Sequence, residues 1–221
     1  LRRKRLKNRN NKIAIYSFLS LILIYLSVSI IYGFTYVNDK IFQKQNLIFL
    51  ESDNWVSSSY GAPPITISTP EVLIRNTDSL IFSLVESTSK SEFSHNNIKD
   101  PLTIRLTNFK LPENSSSIRL QDVMMRSIET IEKLGVKNII TKFEKFQTPN
   151  EAEGLMIYGS ADFPLDKPNQ FRKSKYKIFG FINNQDYKQI FISWEENDNY
   201  IVEIIDRIVN SIELVKNKTD L

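Results

Sequence analysis

Twenty-five consecutive residues without a charge, Ile13 to Val37, constrain this chain more than any other feature. As a helix they would reach about 37 Å at 1.5 Å per residue, enough to cross a hydrocarbon layer of about 30 Å with some tilt. A cleaved secretory signal has a shorter apolar region, about 7–15 residues, and ends on small side chains. This run ends in Ile31-Tyr32-Gly33-Phe34-Thr35-Tyr36, which is bulky and aromatic. It reads as an uncleaved membrane anchor.

The flanks orient it. Arg2, Arg3, Lys4, Arg5, Lys7, Arg9 and Lys12 crowd the N-terminal side, with no acidic residue among them. Positive charge beside a span is retained on the cytoplasmic face. The reading is therefore a single pass through the inner (cytoplasmic) membrane, with residues 1–12 cytoplasmic and everything beyond 37 extracytoplasmic. The overall charge of +4 is then a topology signal. Without those seven residues, 22 basic side chains face 25 acidic ones, a net of −3. Nucleic acid needs a basic face, so it is not an expected partner. The first residue is Leu rather than Met, so further chain is expected before it.

The chain has no cysteine, one histidine and six glycines in 221 residues. The missing cysteine excludes disulfides, a thiol nucleophile, Cys-ligated zinc and a thioether-linked lipid. The single histidine, His95, sits in Ser94-His95-Asn96-Asn97 and reads as part of a polar surface loop. No second histidine is present to build a zinc site with it. No G-x-S-x-G elbow is present either. Glu195, Glu196 and Asp198 lack the spacing of a calcium loop and read as charges at a helix start. Basic spots fall at Lys142 and Lys145 and in the loop-like Arg172-Lys173-Ser174-Lys175. No catalytic residue, metal ligand or cofactor is assigned, and the chain is not expected to be an enzyme. Asn114 and Asn217 open glycosylation sequons, and Asp78-Ser79-Leu80 resembles a short O-glycosylation tripeptide.

Residues 38–62 read as a membrane-proximal linker, with loop composition through Ser57-Ser58-Ser59 and Pro63-Pro64. A folded domain is expected over residues 63–216, followed by a short tail at 217–221. Strands are expected at Ile65–Ser68, Val72–Ile74, Leu80–Val85 and Leu102–Thr107. The last of these alternates as a half-buried strand does. Segments Ser87–Asp100 and Pro164–Ser174 read as loops. A helix follows, with Ser115–Ser117 as cap, Leu120, Val123, Met124, Ile128, Ile131 and Leu134 as its apolar stripe, and Gly135 as its stop. Four strands come next, at Asn138–Thr148, Ala152–Asp162, Lys175–Asn183 and Tyr187–Glu195. A final helix carries Ile201, Ile204, Ile205, Ile208, Val209 and Ile212 on one stripe. Sequential strands with short turns imply an α+β domain, an antiparallel sheet covered by two helices.

Three stretches carry a resemblance: "ITISTPEVLIR", "SIRLQDVMMRSIETIEKLG" and "IFGFINNQDYKQIFISWEENDNYIVEIIDRIVNSIEL". Their order resembles the Mog1/PsbP-like α/β/α sandwich family over roughly residues 55 to 215. The resemblance implies an accessory, assembly or binding role without a common catalytic motif, so no site residue transfers. A transmembrane anchor is not general in that family. The expected partners are the membrane and one or more envelope protein subunits. Within the span, Ser20, Ser27, Ser29 and Gly33 are candidate packing residues, since Ser29-x-x-x-Gly33 would let another helix approach closely. The alternative is that each serine bonds its own helix.

Overall fold

A computed structural model describes residues 2–42, 45–76, 90–95, 102–112, 119–183, 185–198 and 200–214. The chain forms two compact units, Leu1–Glu51 and Ser52–Leu221.

The first unit is helical. Helix α1 runs Arg2–Tyr32, α2 Phe34–Ile41 and α3 Gln45–Glu51. Within α1, Ile15–Tyr32 forms an 18-residue window of mean hydropathy 2.1, long and apolar enough to cross a membrane. The uncharged run continues to Val37, but the helix does not. Gly33 takes φ 87 and ψ 138, a conformation in which a side chain is strained, and the chain reverses there. Helix α2 then lies along the end of α1. Tyr25 Oη donates to Asn38 Oδ1 at 2.8 Å, and the Tyr25 and Phe34 rings meet edge to face at 5.8 Å. Lys40 and Tyr36 both bond Glu51, joining α2 to α3.

The second unit is built on two antiparallel sheets. Strands β1 (Val56–Tyr60), β2 (Ile65–Thr69) and β10 (Glu213–Leu214) make the smaller, in the order β1-β2-β10. The larger contains β3 (Ile74–Arg75), β4 (Lys90–His95), β5 (Leu102–Lys110), β6 (Lys137–Gln147), β7 (Glu153–Pro164), β8 (Phe171–Asn183) and β9 (Asp186–Glu195). Its order is β3-β4-β5-β9-β8-β7-β6. After β5 the chain passes through helix α4 (Leu120–Lys133) to the far edge, then meanders back until β9 pairs with β5. That route carries α4 across the sheet.

Helix α4 buries Val123, Met124, Ile128 and Ile131 against Ile157, Phe163, Tyr176, Ile178, Tyr187 and Phe191. Both methionines of α4 are packing residues, with Met124 fully buried and Met125 partly so. A Cβ on Gly180 would overlap Met124, so the glycine sets how closely α4 rests on β8. On the other face the β1–β2 hairpin makes contact. Lys188 Nζ donates to Pro63 O at 2.7 Å, and the Tyr60 ring lies 5.0 Å from that of Phe93. Helix α5 (Ile201–Asn210) buries Ile201, Ile204, Ile205 and Ile208, and Ser211 Oγ accepts from Ser68 N in β2 at 2.7 Å.

The α+β class and antiparallel sheet match the sequence reading, with several differences in detail. The second layer is a small sheet with a helix, not a helix alone. Ser57–Ser59 is strand rather than loop, because Ser57 pairs Ser68, Ser59 pairs Thr66, and the Ser59 and Thr66 hydroxyls bond at 2.8 Å. Strand β3 keeps only Ile74 of the segment expected at Val72–Ile74. Residues 90–95 and 171–174, read as loops, lie in β4 and β8. Strand β5 is buried on both faces rather than one. The expected strand Leu80–Val85, the cap Ser115–Ser117, both sequons and the Asp78 tripeptide lie outside the described residues.

Candidate functional site

The seven basic residues Arg2, Arg3, Lys4, Arg5, Lys7, Arg9 and Lys12 lie on α1, ahead of its apolar window. The candidate packing residues separate once their geometry is known. Ser20 Oγ donates to Ser17 O and Ser27 Oγ to Leu23 O, each at 2.8 Å. A hydroxyl has one proton, so neither serine keeps a donor for another helix. Ser29 is buried, and its hydroxyl makes no hydrogen bond. Gly33 is outside the helix, so Ser29-x-x-x-Gly33 is not a continuous helical face. The positive φ that reverses the chain removes the geometry that the spacing required.

His95 is corrected as well. It is buried on β4 opposite Ile104, with Nδ1 3.3 Å from Glu71 Oε2. Pairing with β5 draws it out of the surface loop that its polar neighbours suggested. Asp198 does serve a helix start: its Oδ1 accepts from Tyr200 N at 2.9 Å, just before α5. Arg172 and Ser174 sit in β8, where Arg172 Nε donates to Ser174 Oγ at 3.1 Å. No group of three or more His, Asp or Glu side chains able to hold a metal occurs among the described residues.

The structure brings together a set of polar residues that sequence reasoning missed. On β5, Thr103, Arg105 and Thr107 share the α4-facing side of the sheet with Gln189, Phe191 and Ser193 of β9. Glu92 of β4 lies opposite Thr107. Glu92 is 1% exposed and Arg105 5%. Arg105 Nη1 stands 3.6 Å from Glu92 Oε1, which also accepts from Asn76 Nδ2 at 3.2 Å. Burial lowers the Arg105 pKa, and the Glu92 charge opposes that shift. Glu92 Oε2, Arg105 Nε and Nη1, Thr107 Oγ1 and Ser193 Oγ make no hydrogen bond. Buried polar atoms are nearly always bonded, so this grouping is exceptional. Nearby, Ser127 Oγ and Tyr187 Oη both donate to Gln189 Oε1, at 2.7 and 2.6 Å. Burial pushes the Tyr187 hydroxyl far above its ordinary range. The alternation in Leu102-Thr103-Ile104-Arg105 was visible in sequence, but it reads as a solvent face until the covering layer is known.

Open clefts occur among the described residues of the domain surface. One, of about 660 Å³, has Phe146, Leu155 and Ile182 as its apolar part and Lys145, Gln147 and Glu153 around them. Another, of about 640 Å³, lies where Arg207 stacks 4.2 Å from the Trp55 ring, beside Glu203 and Asp206. The first cleft, with apolar and charged side chains together, suits an amphipathic ligand, whereas neither cleft is lined by Glu92, Arg105, Thr107 or Ser193.

No family model matches this sequence, and no curated protein does. Among solved structures the chain is similar to cyanobacterial PsbP (CyanoP) from Synechocystis sp. PCC 6803. That similarity has 11% identity and a TM-score of 0.47, and it covers 74% of this chain and 94% of that one. It is also similar to PA94 from Pseudomonas aeruginosa, described as a protein of unknown function and putative regulator. There the identity is 8% and the TM-score 0.39, with 75% of this chain and 99% of that one covered.

Proposed function

We propose that the chain is a single-pass membrane protein whose extracytoplasmic domain is an accessory subunit, contacting protein partners in a cell-envelope complex. The observation that carries this reading is the helix window Ile15–Tyr32, whose large apolar side chains are almost all exposed. Exposing that much hydrocarbon to water is unfavourable at roughly 25 cal/mol per Å², so the window belongs in lipid. The seven basic residues ahead of it orient the N-terminus to the cytoplasm. Aromatic Tyr32, Phe34 and Tyr36 stand at the far end, where interfacial rings collect.

The test is protease added to spheroplasts that express the full chain. The reading expects the domain beyond residue 51 to be digested and the basic end to be protected. A protected domain overturns it. Detergent extraction and affinity capture then test the subunit role: a stoichiometric envelope protein is expected, and a lone chain counts against it.

The Glu92–Arg105 grouping favours a second reading, a module that binds a small polar ligand. Native mass spectrometry of the detergent-extracted chain tests this. A retained small molecule that is lost in Arg105→Leu supports it, and a bare mass opposes it.

A further inference from the structure

Strand β6 is the outer edge of the larger sheet, paired with β7 on one side and with no described strand on the other. An edge strand presents a row of unused backbone N–H and C=O groups, which template pairing with another chain. This one is long, at 11 residues, and contains neither Gly nor Pro. Eight of its residues are exposed. Two are large and apolar: Ile140 is 61% exposed and Phe143 38%. Short edges, prolines, bulges and charged side chains, lysine above all, are the usual protections, and of these β6 carries the charges of Lys137, Lys142, Glu144 and Lys145. Here a register irregularity touches only the start, between Lys137 and Ile140, and residues 140–147 pair regularly with β7.

The side chains select a partner. In a strand, alternate residues direct their backbone groups to the same side. A strand that pairs antiparallel with its own copy must therefore be centred on one residue. Centring on Lys142 or Lys145 opposes two ammonium groups, and centring on Glu144 opposes two carboxylates. Centring on Phe143 opposes the two Phe143 rings, sets each Lys142 against Glu144 of the other copy, and sets each Ile140 against Phe146. Opposite charges and apolar pairs directly across a sheet stabilise it, and like charges destabilise it. Phe146 is already braced by the rings of Phe179 and Phe181, at 4.9 and 6.0 Å.

We infer that β6 pairs antiparallel with β6 of a second copy of this chain, centred on Phe143, and joins two sheets into one. The inference rests on the sheet edge alone and stands apart from the membrane reading.

The chain lacks cysteine, so Phe143→Cys creates a unique thiol. Opposed Cα atoms in either kind of antiparallel pair lie about 4.5–5.5 Å apart, within disulfide reach of about 4.4–6.8 Å. Under mild oxidation in detergent, the full-length Phe143→Cys chain is expected to form a covalent dimer. Val202→Cys, an exposed position on α5, is expected to form no covalent dimer. Sedimentation of the cysteine-free chain is expected to show a dimer that Lys142→Glu weakens by roughly tenfold and Lys142→Glu/Glu144→Lys restores. A cysteine-free chain that is monomeric at about 100 µM overturns the inference. So does a dimer indifferent to Lys142→Glu, or equal cross-linking at the two positions. Circular dichroism identifies any variant that fails to fold, and the charge-swapped chain then decides the outcome.

Discussion

Tyr25 Oη bonds Asn38 Oδ1, thirteen residues further along the chain and on the other side of a reversal. In one continuous helix those residues would be about 20 Å apart along the axis, at 1.5 Å per residue. Gly33 makes the reversal possible. Placing a Cβ at its backbone angles costs of order 1–3 kcal/mol, and nothing nearby crowds the position. Gly33→Ala is therefore expected to favour the straight helix. Spin labels at Ile22 and Ile41, both exposed, report the change. Their separation is expected to move toward the roughly 28 Å of a continuous helix. An unchanged distance distribution means that the contacts, not the glycine, determine the turn.

Gly180 and Met124 share one space, with no room for a methyl group between them. Gly180→Ala is expected to cost about 1–3 kcal/mol through overpacking of the α4–β8 contact. Met124→Ala opens that space, so the double variant should be more stable than the sum of the single effects implies. Urea unfolding followed by circular dichroism measures all three. Strict additivity refutes the contact.

Glu92 and Arg105 form a buried ion pair with unused hydrogen-bonding capacity on both partners. Removing one partner leaves the other charge buried and uncompensated. Glu92→Leu is therefore expected to destabilise the domain by about 3–5 kcal/mol. Glu92→Leu/Arg105→Leu, which removes both charges, should lose less. A double variant at least as unstable as Glu92→Leu would show that the pair is held for a net attraction instead.

Tyr187 predicts an alkaline limit. Its hydroxyl is raised above the ordinary value of 10.0, mainly by burial. The folded state thus keeps a proton that the unfolded state gives up above about pH 10. This stabilising difference is intact below that pH and is lost as the pH rises further. The unfolding free energy of the wild-type chain should fall more steeply between pH 10 and 11 than that of Tyr187→Phe. Parallel pH profiles would exclude the linkage.

Much of the architecture was legible because hydrophobic period is a local property. The stripe through Val123, Met124, Ile128 and Ile131 and that through Ile201, Ile204, Ile205 and Ile208 each required only their own spacing. Strands β6 to β9 follow one another through short connections, so their neighbours in sequence are their neighbours in space. The uncharged run and its basic flank likewise needed no knowledge of the fold.

What the sequence could not supply depends on which distant segments meet. Ser57–Ser59 has loop composition and becomes a strand because β2 lies beside it. His95 leaves the surface because β5 pairs with β4, and Arg105 is buried because its strand is covered on both faces. Gly33 reverses the chain in company with Tyr25, Phe34 and Asn38, whose contacts form only once the helix has broken. The amino-acid order determined an apolar helix, its flanking charge and the periods of the domain's elements. The tertiary structure decided which faces are covered, which polar groups are taken from water and which edge is left open. Burial and pairing are sums over residues far apart in the chain, and no local window contains them.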